Sequence, residues 1–327
     1  MGWWRIDTDA LAESRFVVSA LAETTAALMA LEWQTAGHPA DRTWLMDRLP
    51  YYRAYMAADP VTAQLVRAAL GRLWIADFLT PPPDGRPFEE ELAEVRATPD
   101  AVVRTDLRAA SALPEALVHA SGLGPRAAEL LEWVWTEAVR PDWDRRRRVA
   151  EADILVRTRQ LGLGGWAAAL SGMRPGMAWL GAGRLRINLQ DRQPRELSAQ
   201  AGLVFVPVTH GHGWVAWNGT DRHALVYPCE GQLTQAARAA ATPQALVRLL
   251  GPVRARVLVL LESPKSTTQL AALTGVSLGA VAGQLKVLLA AGLILRRRAG
   301  RTVLYSRVAA GDVLVSAATG SQGDDRG

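Results

Sequence analysis

The stretch LILRRRAGRTVLYSRV, residues 293–308, sets Arg296, Arg297, Arg298 and Arg301 between two apolar runs. Guanidinium groups hold phosphate through charge-assisted, often paired hydrogen bonds, so a hairpin lined with them is phosphate-binding chemistry. Neighbouring residues of a strand point to opposite sides, which puts Arg296 and Arg298 on one face and Arg297 on the other. Arg298 and Arg301, flanking the Ala299-Gly300 tip, are the two best placed to reach DNA. From Pro243 to Val308 the chain has ten Lys or Arg and one acid, Glu262, although its overall net charge is only +5. The remainder is therefore acidic on balance. A basic module joined to an acidic domain is the electrostatic footprint of a nucleic-acid binder, with a solvated charged face as the bland reading.

Other chemistry-bearing residues point to less. His210 and His212, with His223 and Cys229 close by in sequence, offer ligand types for zinc or nickel, but no carboxylate pattern accompanies them and strand-end histidines are commonly plain polar surface. No metal and no cofactor is expected. Neither of the glycine-rich pieces LGLGGW (161–166) and GAGR (181–184) both follows a strand and opens a helix, and no Gly-Lys-Ser/Thr is present, so nucleotide binding is not indicated. There is no Gly-x-Ser-x-Gly elbow and no paired-carboxylate constellation. The enzyme reading survives only as a winged-helix methyltransferase lacking its glycine loop, and we expect no enzyme. Of the twelve tryptophans, Trp133, Trp135, Trp166, Trp179, Trp214 and Trp217 could line an apolar small-molecule cavity, or simply pack a core. The run DRRRR at 144–148 reads as a solvated helix face or a flank touching DNA.

These residues need elements to hold them. The chain has 327 residues, 49% apolar and 21% charged, which excludes global disorder and suggests more than one core. A single cysteine rules out a disulfide framework and fits a reducing, cytoplasmic setting. The N-terminus has no basic segment leading into an apolar one, and no apolar run is long enough to span a membrane. WWRI (3–6) reads as a strand, and Thr8-Asp9 as the cap of a helix carrying Leu11, Arg15 and Phe16. Helical spacing dominates 19–160, as in Leu21, Leu28 and Leu31 and then Leu65, Leu70, Leu73 and Trp74, interrupted by TPPPDGRP at 80–87. The period then changes to two, with Leu185, Ile187 and Leu189 on one face, predicting a small antiparallel sheet over 183–229.

The basic segment reads as helix, turn, helix and hairpin. Gly251-Pro252 separates two helices, with Val253, Val257 and Leu260 on one face of the second. Ser266 and Gln269 have capping-box spacing, Gly275 suits a left-handed helix end, and Ser277 and Gly292 bound the next helix. In that helix Leu278, Val281, Leu285 and Leu288 project onto one stripe, assigned to the core, with Gly279, Ala282, Gly283 and Lys286 largely opposite. Each interior Gly costs a helix about 1 kcal/mol relative to Ala, so an exposed glycine face needs either a close partner or a tolerant packing. A helix lying in the major groove supplies that partner. Ser277, Gln284 and Lys286 are then the only polar side chains of the helix placed to touch bases, and recognition leans on shape and methyl contacts.

The stretch from about 250 to 308 resembles the winged helix-turn-helix of the ArsR/SmtB family of bacterial repressors, through GVS before the reading helix, LKVLLAAGLI across its end, and RRRAGRTVLYSRV as strand, tip and strand. The MarR type is a relative with much the same pattern. The whole layout, with DALAESRF near the start, is similar to a larger ArsR-type group of actinobacterial regulators with a long N-terminal domain. That resemblance implies a homodimer that binds a pseudo-palindromic operator in double-stranded DNA, acts mainly as a repressor, and releases DNA when a small-molecule effector binds. Founding members bind metal through Cys-x-Cys in the first helix of the motif, where this chain has Thr267, Thr268 and Gln269. The polar residues many members carry in mid reading helix are here Ala282 and Gly283. The expected fold is α+β: a helix-rich N-terminal α/β domain (1–238) for dimerisation or effector sensing, a winged helix-turn-helix (239–316), and a disordered tail (317–327). The expected DNA-binding residues are Thr267, Thr268, Ser277, Gly279, Ala280, Gly283, Gln284, Lys286, Arg296, Arg298, Arg301 and Thr302. A scaffold that uses the winged helix only for pairing, or a metal-free small-molecule sensor, is the alternative.

Overall fold

The computed structural model describes residues 2–36, 39–71, 74–109, 112–174, 176–188, 195–197, 202–219, 222–229, 242–262, 264–299 and 302–320. The chain divides into two compact units, one of Met1–Ala150 with Arg157–Cys229, the other of Glu151–Val156 with Glu230–Gly327. The boundary expected at 238/239 lies outside the described residues.

The first unit runs β1 (Trp3–Ile6), α1 (Thr8–Ala12), β2 (Arg15–Phe16), α2 (Ala20–Trp33), α3 (Pro39–Ala58), α4 (Pro60–Ala69), α5 (Phe88–Arg96), α6 (Asp100–Arg108), α7 (Glu115–His119), α8 (Leu123–Val134), α9 (Trp143–Leu170), β3 (Ala178–Gly181), β4 (Arg184–Arg186), β5 (Arg195–Leu197), β6 (Gly202–Val208), β7 (Val215–Asn218) and β8 (Arg222–Pro228). The fold is α+β. Asp7, not Thr8, caps α1, and Arg15 and Phe16 leave that helix to pair with β6. Helix α9 is broken at Gly164 and Gly165, where the backbone leaves helical geometry. No single helix among the described residues is long and apolar enough to cross a membrane.

The sheet expected over 183–229 is two sheets, and neither is purely antiparallel. One has the order β3-β4-β1-β5 and the other β2-β6-β8-β7. In the second, β7 turns through Gly219, at φ +61°, and pairs antiparallel with β8. That reversal leaves β8 parallel to β6, in the register Phe205↔Leu225 and Val206↔Val226. Burial on both faces explains why β6 and β8 read as continuous apolar runs. Val204, Val206, Ala224 and Val226 join the helical core of α2–α8, while Leu203, Phe205, Leu225 and Tyr227 join a second core with Trp4, Ile6 and Leu185. Leu189 and Leu73 lie outside the described residues.

Polar groups inside this unit are engaged in holding it together. Arg146, in the run read as a solvated face or a flank touching DNA, is instead fully buried: its guanidinium donates to Glu23 Oε1 at 2.6 Å and to Thr209 Oγ1 at 2.9 Å. It lies over the Trp44 ring, and the backbone N–H of Thr209 donates to the other Glu23 oxygen. The pair thus ties α2, α9 and the exit of β6 together. The TPPPDGRP segment is also anchored, since buried Glu91 accepts from the backbone N–H groups of Asp84 and Gly85. Burial raises the Glu91 carboxyl above its usual range, against the lowering pull of these bonds and of the Ser19 hydroxyl. Removing one partner of a buried ion pair strands the other charge, so Glu23→Ala should cost about 3–5 kcal/mol of stability in chemical denaturation. A loss no greater than that of an exposed substitution would mean the pair is solvated.

Candidate nucleic-acid interface

The second unit contains α10 (Gln244–Leu250), α11 (Pro252–Leu260), α12 (Thr267–Thr274), α13 (Leu278–Ala290), β9 (Ile294–Ala299), β10 (Thr302–Arg307) and α14 (Ala309–Gly320). Gly251, at φ +80°, ends α10, and Pro252 opens α11. At the start of α12 the Ser266 hydroxyl accepts from Gln269 N–H while the Gln269 side chain accepts from Ser266 N–H, a complete capping box. Gly275, at φ +75°, closes α12, and two residues later Ser277 caps α13 by accepting from Ala280 N–H. The chain bends by 112° between the two helices, within the range of helix-turn-helix units. Val281, Leu285 and Leu288 of α13 are buried, as are Leu270 and Leu273 of α12.

The hairpin has the two expected strands, and Gly300 of its expected tip lies outside the described residues. Arg298 pairs in register with Val303, Arg297 with Leu304 and Arg296 with Tyr305. Lys265 exchanges both backbone hydrogen bonds with Tyr305, adding a third short strand segment at the base of the wing. Arg296, Arg297 and Arg298 are all exposed. Helix α14 continues to Gly320 with Ala318 packed beside Leu246, so residues 317–320 of the expected tail are helical, and 321–327 lie outside the described residues.

The predicted contact residues fall into three groups. Ser277, Gly279, Ala280, Gly283 and Lys286 lie exposed on α13, and Arg296 and Arg298 on β9. Thr267 and Thr268 are half-buried in the first turn of α12. Gln284 is also half-buried and turned inward, its side-chain oxygen accepting from Arg254 Nε at 2.9 Å, a tie that no local sequence signal announces. Arg301 lies outside the described residues, and of Thr302 only the pairing with Ala299 is described. Leu278 corrects the projection: assigned to the core stripe, it is 53% exposed, because burial along α13 begins only at Val281. Val287, absent from the predicted set, is 43% exposed, and the helical projection is the signal that could have found it.

The glycines answer the choice between a close partner and a tolerant packing. A Cβ built on Gly279 or Gly283 would meet nothing within 4 Å, so no internal contact of the protein requires either glycine. By contrast, a Cβ on Gly311 in α14 would lie 2.3 Å from the Leu293 carbonyl oxygen, and there the protein's own packing demands glycine.

The other candidate constellations disperse. His210 sits against Arg146 and Trp44, His212 bonds Thr35 and packs edge-on to Trp33, and His223 packs edge-on to Trp4. Burial lowers the His212 pKa. Among the described residues no group of three or more His, Cys, Asp or Glu is placed to hold a metal ion. The six tryptophans divide between two cores: Trp133, Trp135 and Trp214 belong to one, and Trp166, Trp179 and Trp217 to the other.

Three helices, a tight turn and an arginine wing define a winged helix-turn-helix, the class of domain that sets its second helix in the major groove. Residues 251–295 match the family model described as bacterial regulatory protein, arsR family, so this segment is an ArsR-type helix-turn-helix of DNA-binding transcription regulators. No curated protein and no solved structure matches the chain.

Gly279→Ala and Gly283→Ala should each stabilise the protein by up to about 1 kcal/mol, read as a higher Tm, since alanine is favoured in helices and the space is open; a lower Tm would show the face to be packed. Lys265 is buried, and desolvation pushes its ammonium down to about 8, opposed by Glu262 and aided by Arg307. The unfolded state therefore binds more protons between about pH 8 and the ordinary lysine value of 10.5, and stability rises with pH across that window. Lys265→Met should flatten this rise in denaturation curves taken at several pH values.

Proposed function

We propose that the protein is a cytoplasmic, homodimeric transcriptional repressor of the ArsR type, from the subgroup with a long N-terminal domain, and that it binds a pseudo-palindromic operator through α13 and the β9–β10 wing. The observation that carries this reading is the outward face of α13. It is held at the helix-turn-helix angle, lined by glycines that the protein's own packing does not require, and belongs to the same unit as three exposed arginines. Phosphate contacts from Lys286, Arg296, Arg298 and Arg301 orient the domain on the duplex, and the α13 backbone approaches the groove. Pairing of two copies is supported by α10 and α14, which pack together around Leu246 and Ala318 and leave Leu249 and Val313 65% and 68% exposed.

The first unit serves dimerisation or metal-free effector sensing. Supporting the latter are two open pockets, of about 310 and 240 Å3, which share Leu31; Glu32, Tyr52 and Arg67 line one, and Arg48, Trp133 and Glu137 the other. We propose no catalytic role. Footprinting the region upstream of the protein's own coding sequence should show paired protected half-sites. Arg298→Ala and Arg301→Ala should each weaken operator binding and reduce the slope of log K against log salt by about one unit for every phosphate the variant no longer neutralises. An unchanged slope would remove the wing from the mechanism. The exposed apolar residues Leu278 and Val287 also suit a protein partner, and an absence of protected sites would favour that scaffold reading.

A further inference from the structure

On the reading of α13 as a DNA-contacting helix, we propose that Leu278 and Ala282 are specificity-determining residues, each recognising the C5-methyl group of a thymine in the major groove. Base contacts in a helix-turn-helix come from the N-terminal part of the second helix. In α13 that part exposes Leu278, Gly279, Ala280, Ala282 and Gly283, which carry no side-chain hydrogen-bonding group at all. The neighbouring polar side chains have their oxygens engaged within the domain: the Ser277 oxygen accepts from Ala280 N–H and the Gln284 oxygen accepts from Arg254 Nε, so neither oxygen is offered to a base donor. Lys286 lies two turns in, where its long stem and single charge suit a phosphate better than a base edge.

The chemistry of the groove then selects the base. Thymine alone presents a methyl group there, while guanine, adenine and cytosine offer only donors and acceptors. A leucine set against a polar base edge would strip its water and return no hydrogen bond, whereas against a thymine methyl it buries apolar surface on both sides. The exposure of Leu278 is thus a preference for thymine and a penalty against the other bases. Gly279 and Gly283 complete the device. With no Cβ and open space around them, they let the backbone sink far enough for short side chains to touch the base plane. A longer side chain at either position would hold the helix away.

The test uses the full-length protein and a random-sequence duplex pool, from which bound duplexes are enriched and sequenced. An enriched duplex is then compared by fluorescence anisotropy with copies in which single thymines are replaced by deoxyuridine, which lacks only the methyl group. Replacement at a contacted thymine should weaken binding about fourfold, the factor one buried methyl is worth. In Leu278→Ala the penalty at one symmetric pair of positions should vanish while the others remain. Gly283→Ala, with folding confirmed by circular dichroism, should bind the enriched duplex more weakly. Equal affinity for thymine and deoxyuridine duplexes would overturn the methyl readout while leaving DNA binding intact. A full penalty in Leu278→Ala would overturn the assignment to Leu278. Failure to enrich any duplex would overturn the DNA-binding reading and this inference with it.

Discussion

The turn between α12 and α13 is the constraint on which the candidate function depends. Gly275 adopts the left-handed conformation that a residue with a side chain enters at a cost, and Ser277 satisfies an amide that would otherwise be orphaned at the helix start. Together they bend the chain by 112° across the three residues 275–277. Once that angle is set, packing of Val281, Leu285 and Leu288 fixes the rotation of α13, and the rotation decides what faces outward. A longer or looser turn would leave the same residues without a defined direction.

The outward face sacrifices local stability. Glycines at 279 and 283 lower the intrinsic helicity of a helix only three to four turns long, and among the described residues no close contact requires them. Conflicts between local propensity and adopted structure concentrate at functional sites. The wing carries the same tension, since successive arginines on one strand repel one another and would be stabilised by an anionic partner.

The first unit uses its charge differently. Glu23 and Arg146 are consumed in joining α2 to α9 and to the end of β6, and His210 is drawn into the same cluster. Desolvating such a pair is costly, and its value lies in fixing one arrangement of the elements around it. The aromatic residues follow suit: Phe88 stacks on Trp135, and Phe16 and Phe205 on Trp166, each within a core rather than around a ligand. Residue types that suggest binding chemistry in the sequence are here mainly structural.

The features legible in the sequence are those whose causes lie within a few residues along the chain or within one hairpin. The capping box at Ser266 and Gln269, the left-handed Gly275, the Ser277 cap, the Gly251-Pro252 break and the arginine hairpin all follow from local geometry, so type and spacing were enough. Which strand lies beside which, and in which direction, was decided by residues far apart: β1 and β2 from the N-terminus complete sheets whose other strands begin more than a hundred residues later. The fully buried Arg146, the Gln284 side chain held by Arg254 and the exposed Leu278 were settled in the same way. A helical projection gives the direction of a side chain, but only the elements packed around it determine whether water, protein or a partner occupies the space it points into.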